Sequence, residues 1–353
     1  MSGWQTGSTA RNSRLSNNKT KKKMRRITYL AVLLLLASCV RPGNLPEQAI
    51  AFRTADTGLR DIPTRSLLTA ADIETKRTAI TLAAYADGTL AAAGSFTAGL
   101  NAMVLDLDPN RTHTVYALVN MGDMTSALPL MESGLSSLTY RIPSYTEGDG
   151  SLAARGLPMA GKVNWPDQGT VIPVERLLAK VTAQLTCEWE GAVIRSVKVR
   201  DLNRVLRPFG EAVREEDWDQ QEFQQGSGTA SGTFVFYVPE NRQGTIAGIP
   251  SSRDKSPDRN DEVRARSGRL TYLETVVEGT GIYEGSITYR SYLGKDAVSD
   301  FDIRRNAHYR WSLRFREDGL QYNDWKHENN LTDTQSGLHI DDGWDDGGEE
   351  ELH

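Results

Sequence analysis

The acidic residues that could act as catalytic carboxylates lie too close together in the sequence to face a substrate from two sides. Four of them crowd together on one polar run, at Glu215, Glu216, Asp217 and Asp219. A glycosidase needs two carboxylates on opposite sides of a sugar, and sequence neighbours on one run do not supply that arrangement. The Gly-x-Ser-x-Gly pattern of a serine hydrolase is also missing from the sequence. We therefore predict no catalytic residue, no enzymatic activity and no cofactor.

One segment has the opening rhythm of a calcium-binding loop. Asp106, Asp108 and Asn110 alternate as the first ligands of such a loop do. Arg111 then stands where the sharp turn needs glycine, and Ala117 stands where the bidentate glutamate belongs. The sequence therefore predicts a turn at the end of a strand here, and no metal site.

The two cysteines lie in different settings. Cys187 sits in the alternating segment Leu185-Thr186-Cys187-Glu188-Trp189, which is typical of a strand. A nucleophilic cysteine would want a histidine partner, and no histidine lies near it in the sequence. We predict a small buried core residue at Cys187.

Cys39 follows a segment that is typical of an export signal. A basic stretch at 21–26 precedes the apolar run Ile27 to Leu36, which is too short to span a membrane because a spanning helix needs about 20 residues. The run ends in Leu36-Ala37-Ser38-Cys39, which resembles the lipobox of bacterial lipoproteins. That resemblance implies a lipid on Cys39 and a signal peptide over residues 1–38. Residues 1–23 would be overhang if translation starts at Met24. The alternative is an ordinary signal peptide with a chance cysteine.

The charge distribution argues against a nucleic-acid partner. Eight of the 41 basic residues precede Cys39, whereas none of the 46 acidic residues does. The exported part is therefore net acidic, and a nucleic-acid binder would carry a basic surface.

The remainder of the chain has the period-two pattern of β-strands. Clear strands are predicted at 78–85, 102–107, 115–119, 181–187, 193–206, 233–238, 270–277, 286–292 and 309–316. They are punctuated by turn residues and do not alternate with long helices, which favours an all-β antiparallel sandwich. A Gly-rich and Ser-rich stretch, Glu147 to Ser151, is the predicted domain joint.

These signals predict the following organisation. A linker at 39–65 follows the lipid anchor, and β-sandwich domains occupy 66–148 and 152–327. Residues 251–267 form a solvated insertion loop. The segment 328–353 carries nine acidic residues and no Lys or Arg, which predicts a disordered tail.

Several short motifs, taken together and in order, resemble the fimbrillin-like lipoproteins of Bacteroidetes, which are the subunits, anchors and tip proteins of the type V pilus. The motifs are Leu118 to Gly122, Gly156 to Gly161, Tyr237 to Gly244, Tyr292 to Asp296 and Asp300 to Tyr309. The resemblance implies two transthyretin-like antiparallel β-sandwich domains in tandem and no enzymatic activity. It also implies assembly with other fimbrillin-like subunits by donor-strand exchange, after an N-terminal strand is released by cleavage following an arginine.

Arg65 is our choice for that cleavage site, among the arginines at 53, 60, 65 and 77. The proline and polar residues of 60–66 indicate an accessible segment. The alternative is an uncut spacer that holds the protein off the membrane.

Two functions stay open at this stage. The first is a structural or adhesive pilus subunit at the cell outer membrane, as an anchor, stalk or tip. The second is a free-standing surface lipoprotein that binds glycan or another ligand, from the host or from a bacterial surface.

Overall fold

A computed structural model describes residues 49–56, 70–97, 103–145, 151–188, 190–212, 218–223, 229–251, 254–279, 285–315, 328–329 and 334–341. In this part of the chain, no helix combines the length and the apolar character needed to cross a membrane.

Strands dominate these residues. They are β1 (Ala49–Asp56), β2 (Ala79–Ala86), β3 (Thr89–Thr97), β4 (Met103–Asp106), β5 (His113–Val119), β6 (Tyr140–Arg141), β7 (Met159–Trp165), β8 (Val171–Arg176), β9 (Leu178–Cys187), β10 (Val193–Asn203), β11 (Val205–Leu206), β12 (Trp218–Phe223), β13 (Ser231–Pro239), β14 (Asn241–Thr245), β15 (Tyr272–Gly279), β16 (Gly285–Tyr292), β17 (Asp300–Ile303), β18 (His308–Phe315), β19 (Glu328–Asn329) and β20 (Thr334–Asp341).

The helices are short. They are α1 (Ala70–Thr75), α2 (Leu152–Arg155), α3 (Asp261–Arg266) and the 3-10 helices η1 (Thr125–Ala127) and η2 (Glu132–Ser137).

The first sheet has seven strands in the order β3-β2-β5-β7-β8-β1-β4. Its β2–β3 hairpin turns at Asp87 and Gly88, whose φ angles are +50° and +74°. Positive φ at both turn residues matches the twist of the two strands, which is why Asp-Gly predicted a turn here. The strands predicted at 78–85, 102–107 and 115–119 are confirmed as β2, β4 and β5.

Two further sheets follow in the chain, and we call them the second pair of sheets. One has the order β12-β10-β15-β16-β19 and the other β13-β9-β18-β20. Tyr289 of β16 and Phe315 of β18 meet between them, with ring centroids 4.6 Å apart and both side chains fully buried. Most strand pairs are antiparallel, with parallel exceptions at β1–β8, β9–β18 and β16–β19. The all-β, antiparallel sandwich class predicted from the sequence is confirmed.

The first sheet continues past the joint predicted near residues 149–151. β7 pairs with β5 over its whole length, and β8 pairs with β7. Only Leu177 then separates β8 from β9 of the next sheet. The domains predicted at 66–148 and 152–327 would assign the paired strands β5 and β7 to different domains, so we propose the boundary at Leu177 instead. A Gly-rich stretch marks a turn, but pairing partners are set by the whole sheet.

Two segments predicted to lack structure contain strands. The linker predicted at 39–65 holds β1, which lies inside the first sheet. The tail predicted to be disordered from 328 holds β19 and β20, and β20 pairs antiparallel with all of β18. Composition underestimated both segments because a neighbouring strand supplies backbone hydrogen bonds that the isolated segment lacks.

The segment 251–267 is also more ordered than predicted. It contains α3, whose N-cap Asn260 accepts hydrogen bonds from the backbone N–H of Glu262 and Val263. Lys255 is 1% exposed, and its Nζ donates to the carbonyl oxygens of Asp296 at 2.8 Å and Asp300 at 2.6 Å. A buried ammonium therefore ties the insertion to the loop before β17.

Lys255 should make stability depend on alkaline pH. Burial lowers its pKa from 10.5 to about 8. Between these two values the unfolded chain binds more protons than the folded chain, so the free energy of unfolding contributed by this group rises with pH. We expect urea unfolding at pH 7 and pH 10 to show a gain of roughly 3 kcal/mol for wild type relative to Lys255→Met.

The exposed Lys295 supplies the matched control, because Lys295→Met removes an ammonium that is already in solvent. A difference between wild type and Lys255→Met that stays constant from pH 7 to pH 10 would contradict the role of Lys255.

Candidate functional site

The two predicted modification residues, Cys39 and Arg65, lie outside the described residues. The structure does describe β1 and α1, which flank the segment 57–69 that contains Arg65. Cys187 lies at the end of β9, where burial raises the pKa of its thiol to about 12. A thiol in that state is inert, in agreement with the predicted core role.

The calcium-like segment is a turn. β4 ends at Asp106, and the Asp108 carboxylate accepts the backbone N–H of Asn110 at 3.0 Å. Its carbonyl accepts the N–H of Arg111 at 3.2 Å. The side chain and backbone of Asp108 thus build the turn that the sequence predicted.

β1 occupies a slot between β8 and β4, which we call the β1 groove. Its residues Arg53 to Asp56 pair in parallel with Val171 to Val174, and the Arg53 N–H donates to the Thr170 carbonyl at 3.0 Å. Phe52 is fully buried beneath the strand. β1 is therefore held by a short parallel ladder with β8, by pairing with β4 on its other edge and by one large side chain in the core.

The first half of β8 depends on β1 for its pairing. The β7–β8 ladder ends at Gly161 and Val174. The Gly161 backbone approaches the Pro173 carbonyl so closely that a Cβ at this glycine would lie 1.8 Å from the oxygen. Pro173 has no N–H to continue that ladder. Residues 171–173 therefore find their strand partner in β1, and removing β1 would leave an open slot.

The helix that follows segment 57–69 is fixed differently. Glu74 of α1 is 2% exposed, and its Oε1 lies 2.8 Å from Nζ of Lys180, which is 3% exposed. The Tyr237 hydroxyl donates to the same oxygen. Lys180 and Tyr237 are directly opposite each other on β9 and β13. Burial and the neighbouring Glu74 carboxylate raise the pKa of Tyr237 well above its usual range. A buried ion pair thus fastens α1 to the second pair of sheets.

The motifs that carried the family resemblance form hydrogen-bonded junctions. Asn120 has a φ of +64°, and its side-chain Oδ1 accepts the Thr78 N–H at 2.9 Å. Its amide donates to the carbonyls of Lys76 at 2.9 Å and Leu157 at 2.8 Å. At Gly156, a Cβ would lie 2.5 Å from the Lys76 carbonyl. These two motif residues therefore join the end of α1, the start of β2 and the approach to β7.

Arg305 is a second junction. Its guanidinium pairs with Glu240 and donates to the carbonyls of Arg207 at 3.1 Å, Pro208 at 3.2 Å and Gly210 at 3.0 Å. The planar guanidinium suits this many-sided contact, because it presents five donors in a fixed geometry. The two motifs that contain Glu240 and Arg305 thus meet in space and hold the loop between β11 and β12.

Sequence reasoning missed β1 and the ion pair of Glu74. A signal for β1 was present, because Ile50, Phe52 and Thr54 alternate with smaller or polar residues. No comparable signal marks Glu74, because its partners lie more than 100 positions away in the chain.

Comparison with known sequences and structures gives a fold-level result. A family model described as a domain of unknown function, DUF4906, matches residues 236–313, which is less than half of the chain. No curated protein matches.

Solved structures match most of the chain. A candidate cell adhesion protein from Parabacteroides distasonis has 12% identity and a TM-score of 0.54, with 83% of this chain and 95% of that chain covered. A candidate cell adhesion protein from Bacteroides eggerthii has 12% identity and a TM-score of 0.53, with 84% of this chain and 97% of that chain covered. The tip fimbrial protein Mfa3 from Porphyromonas gingivalis has 11% identity and a TM-score of 0.51, with 77% of this chain and 95% of that chain covered.

The similarity confirms, at the level of the fold, the predicted resemblance to the fimbrillin-like proteins of Bacteroidetes. These neighbours are fimbrial and cell adhesion proteins rather than enzymes. The DUF4906 match spans Glu240 and Arg305, so it contains one of the two junctions described above.

Removing only one partner of the ion pair between Glu74 and Lys180 should lower the stability of the protein. Lys180→Met would leave the Glu74 carboxylate buried without its cation, and we expect the free energy of unfolding to fall by about 3–5 kcal/mol. The double variant Glu74→Gln/Lys180→Met should recover part of this loss, because a neutral amide can still accept the Tyr237 hydroxyl. Urea unfolding monitored by tryptophan fluorescence measures both effects.

Lys295→Met, at an exposed lysine, serves as the control and should unfold within about 0.5 kcal/mol of wild type. If Lys180→Met were equally harmless, the ion pair would not be what fastens α1.

Proposed function

We propose that the protein is exported as a lipoprotein held at the outer membrane by a lipid on Cys39, and that it joins a type V pilus as a cell-surface subunit by donor-strand exchange once cleavage after Arg65 releases β1 and the lipid. The observation that carries this proposal is the position of β1. It lies between Cys39 and Arg65 in the sequence and inside the first sheet in the fold.

Cleavage after Arg65 would separate β1 from the rest of the chain. The two sides of the cut are held by different contacts, because β1 is held by strand pairing with β8 and β4 whereas α1 is fastened by the buried pair of Glu74 and Lys180. The new N-terminus would thus stay in place when β1 leaves. A strand donated by a neighbouring subunit could then pair with residues 171–174 and fill the space of Phe52.

The fold similarity to fimbrial and cell adhesion proteins supports this role. Such a subunit occupies an anchor, a stalk or a tip position. In an anchor, segment 57–69 would stay uncut and the lipid on Cys39 would be retained.

Lipidation is tested with Cys39→Ser, which removes the thiol that would carry the lipid. We expect the variant to accumulate as uncleaved precursor and to lose the firm membrane attachment that several acyl chains give. Membrane fractionation and mass spectrometry measure both changes. Cys187→Ser is the matched control, because that thiol is buried in the fold. Firm attachment of Cys39→Ser after the precursor is removed would contradict lipidation.

Strand exchange is tested on the full chain with a specific protease site built into residues 60–65. After cleavage, a fluorescein-labelled peptide of residues 47–57 should replace β1 and bind to the protein, whereas the uncut chain should exclude it. A peptide with Phe52→Ser should bind at least about tenfold more weakly, because it cannot fill the core. Fluorescence anisotropy reports the binding.

A crosslink gives the control for this experiment. Arg53 and Val171 are both exposed and are direct strand partners, so Arg53→Cys/Val171→Cys should form a disulfide that retains β1 after the cut. Peptide entry into this locked chain, or no entry into the unlocked cut chain, would contradict exchange at the β1 groove. Mass spectrometry of the assembled native protein should find an N-terminus at Ser66. An N-terminus at acylated Cys39 in the assembled protein would instead favour the anchor position.

A further inference from the structure

A groove lies on the outer face of the first sheet, and we call it the η2 groove. Its floor is formed by Ala160 and Gly161 of β7 and by Pro173 of β8, and its walls are η2 and the loop that contains Phe209. The cavity measures about 550 Å³. A neighbouring cavity of about 590 Å³ shares Ser136 and Phe209 with it. This size lies within the range of small-ligand sites.

The walls of the groove are fixed in advance. The Tyr116 hydroxyl donates to Glu132 Oε1 at 2.7 Å, which holds η2 over β5. The Phe209 ring stands edge-on to Tyr116, with centroids 4.8 Å apart. The loop that carries Phe209 is held by the hydrogen bonds of Arg305 to its carbonyls. A ligand would therefore meet a shape that needs little reorganisation, which lowers the free-energy cost of binding.

Polar groups of both signs point into this space. Lys162 and Glu175 are exposed on the groove face of β7 and β8. Within the described residues, the Glu175 carboxylate makes no hydrogen bond or ion pair, and Lys162 Nζ lies over the Tyr116 ring at 5.8 Å. The half-buried Phe209 adds an apolar surface beside them. One cation, one acceptor and one aromatic ring thus converge on the same cavity.

This lining selects against other classes of ligand. A phosphate or sulfate group would need several cations together, and Lys162 has the carboxylates of Glu132 and Glu175 beside it in the cavity. An added β-strand would need an open edge, but the floor residues Ala160 and Gly161 pair with β5 on one side and with β8 on the other. A wholly apolar ligand would leave the charges of Lys162 and Glu175 without partners.

We propose that the η2 groove binds a neutral oligosaccharide, with Phe209 against the apolar face of a sugar ring and with Glu175 and Lys162 hydrogen-bonded to its hydroxyl groups. A sugar combines C–H surface with many hydroxyl groups that both donate and accept, as this lining requires. The inference does not require strand exchange: the floor residue Pro173 pairs with β1, but Lys162 and Glu175, which would bind the hydroxyl groups, lie outside residues 171–174.

The test uses the full mature chain in a detergent that carries no sugar. The probe is a printed array containing maltohexaose, cellohexaose, N-acetylchitohexaose and mannopentaose, together with sialylated and sulfated glycans. The best neutral glycan is then titrated by isothermal calorimetry against wild type, Glu175→Gln and Lys162→Gln. Both side chains are exposed, so neither variant should change the unfolding midpoint.

We expect wild type to bind at least one neutral glycan and each variant to raise its Kd by about tenfold or more. Asp106→Asn is the matched control, because Asp106 is an exposed carboxylate on β4, away from the groove, and it should leave the Kd unchanged. Phe209→Ala, checked for folding by its unfolding curve, should weaken binding further.

Three results would overturn the proposal. In the first, no neutral glycan binds with a Kd below about 1 mM. In the second, a glycan binds but Glu175→Gln and Lys162→Gln leave its Kd unchanged. In the third, only sialylated or sulfated glycans bind, which would indicate a cationic site elsewhere on the protein.

Discussion

A β-strand must find partners for its backbone groups, and the first sheet meets this requirement for β8 by using β1. Pro173 and the close approach of Gly161 end the β7–β8 ladder at Val174, so residues 171–173 pair with β1 instead. The core adds a second constraint, because Phe52 fills it from the same strand. Whatever strand occupies this slot has to supply both a backbone ladder and a large apolar side chain.

The polar residues inside the protein make a different contribution. Glu74, Asn120 and Arg305 each join three or more segments that are far apart in the chain. Burying such groups is costly unless every donor and acceptor finds a partner, so they favour one arrangement of the sheets over others. They therefore set the positions of α1, the start of β2 and the wall of the η2 groove, whereas the apolar residues supply most of the stability.

Two of these polar contacts each serve one of the two proposed activities. Arg305 positions the loop with Phe209 and so shapes the η2 groove. The pair of Glu74 and Lys180 secures the chain on the far side of Arg65 and so limits what a cleavage would release. An assembling subunit that also holds a ligand needs both features, because the ligand site has to survive the loss of a strand.

Local patterns in the sequence were enough to predict most of the strands and one of the turns. Alternation of apolar residues predicted β2, β4, β5, β13, β15, β16 and β18, and Asp87-Gly88 predicted a hairpin turn, since these patterns reflect the two faces of a strand and the backbone freedom of glycine. The resemblance at residues 156–161 and 237–309 likewise predicted the fold. Such signals are readable because each acts within a few neighbouring residues.

Which strands are partners, and which polar residues meet, became apparent from the folded protein and not from local patterns. β1 lies in a segment that composition classed as a linker, and β20 lies in one that composition classed as a disordered tail, yet each finds a neighbour more than ten residues away. The ion pair of Glu74 with Lys180 and the meeting of Lys162, Glu175 and Phe209 have no local pattern at all. Their positions follow from the register and curvature of whole sheets, which depend on every strand at once.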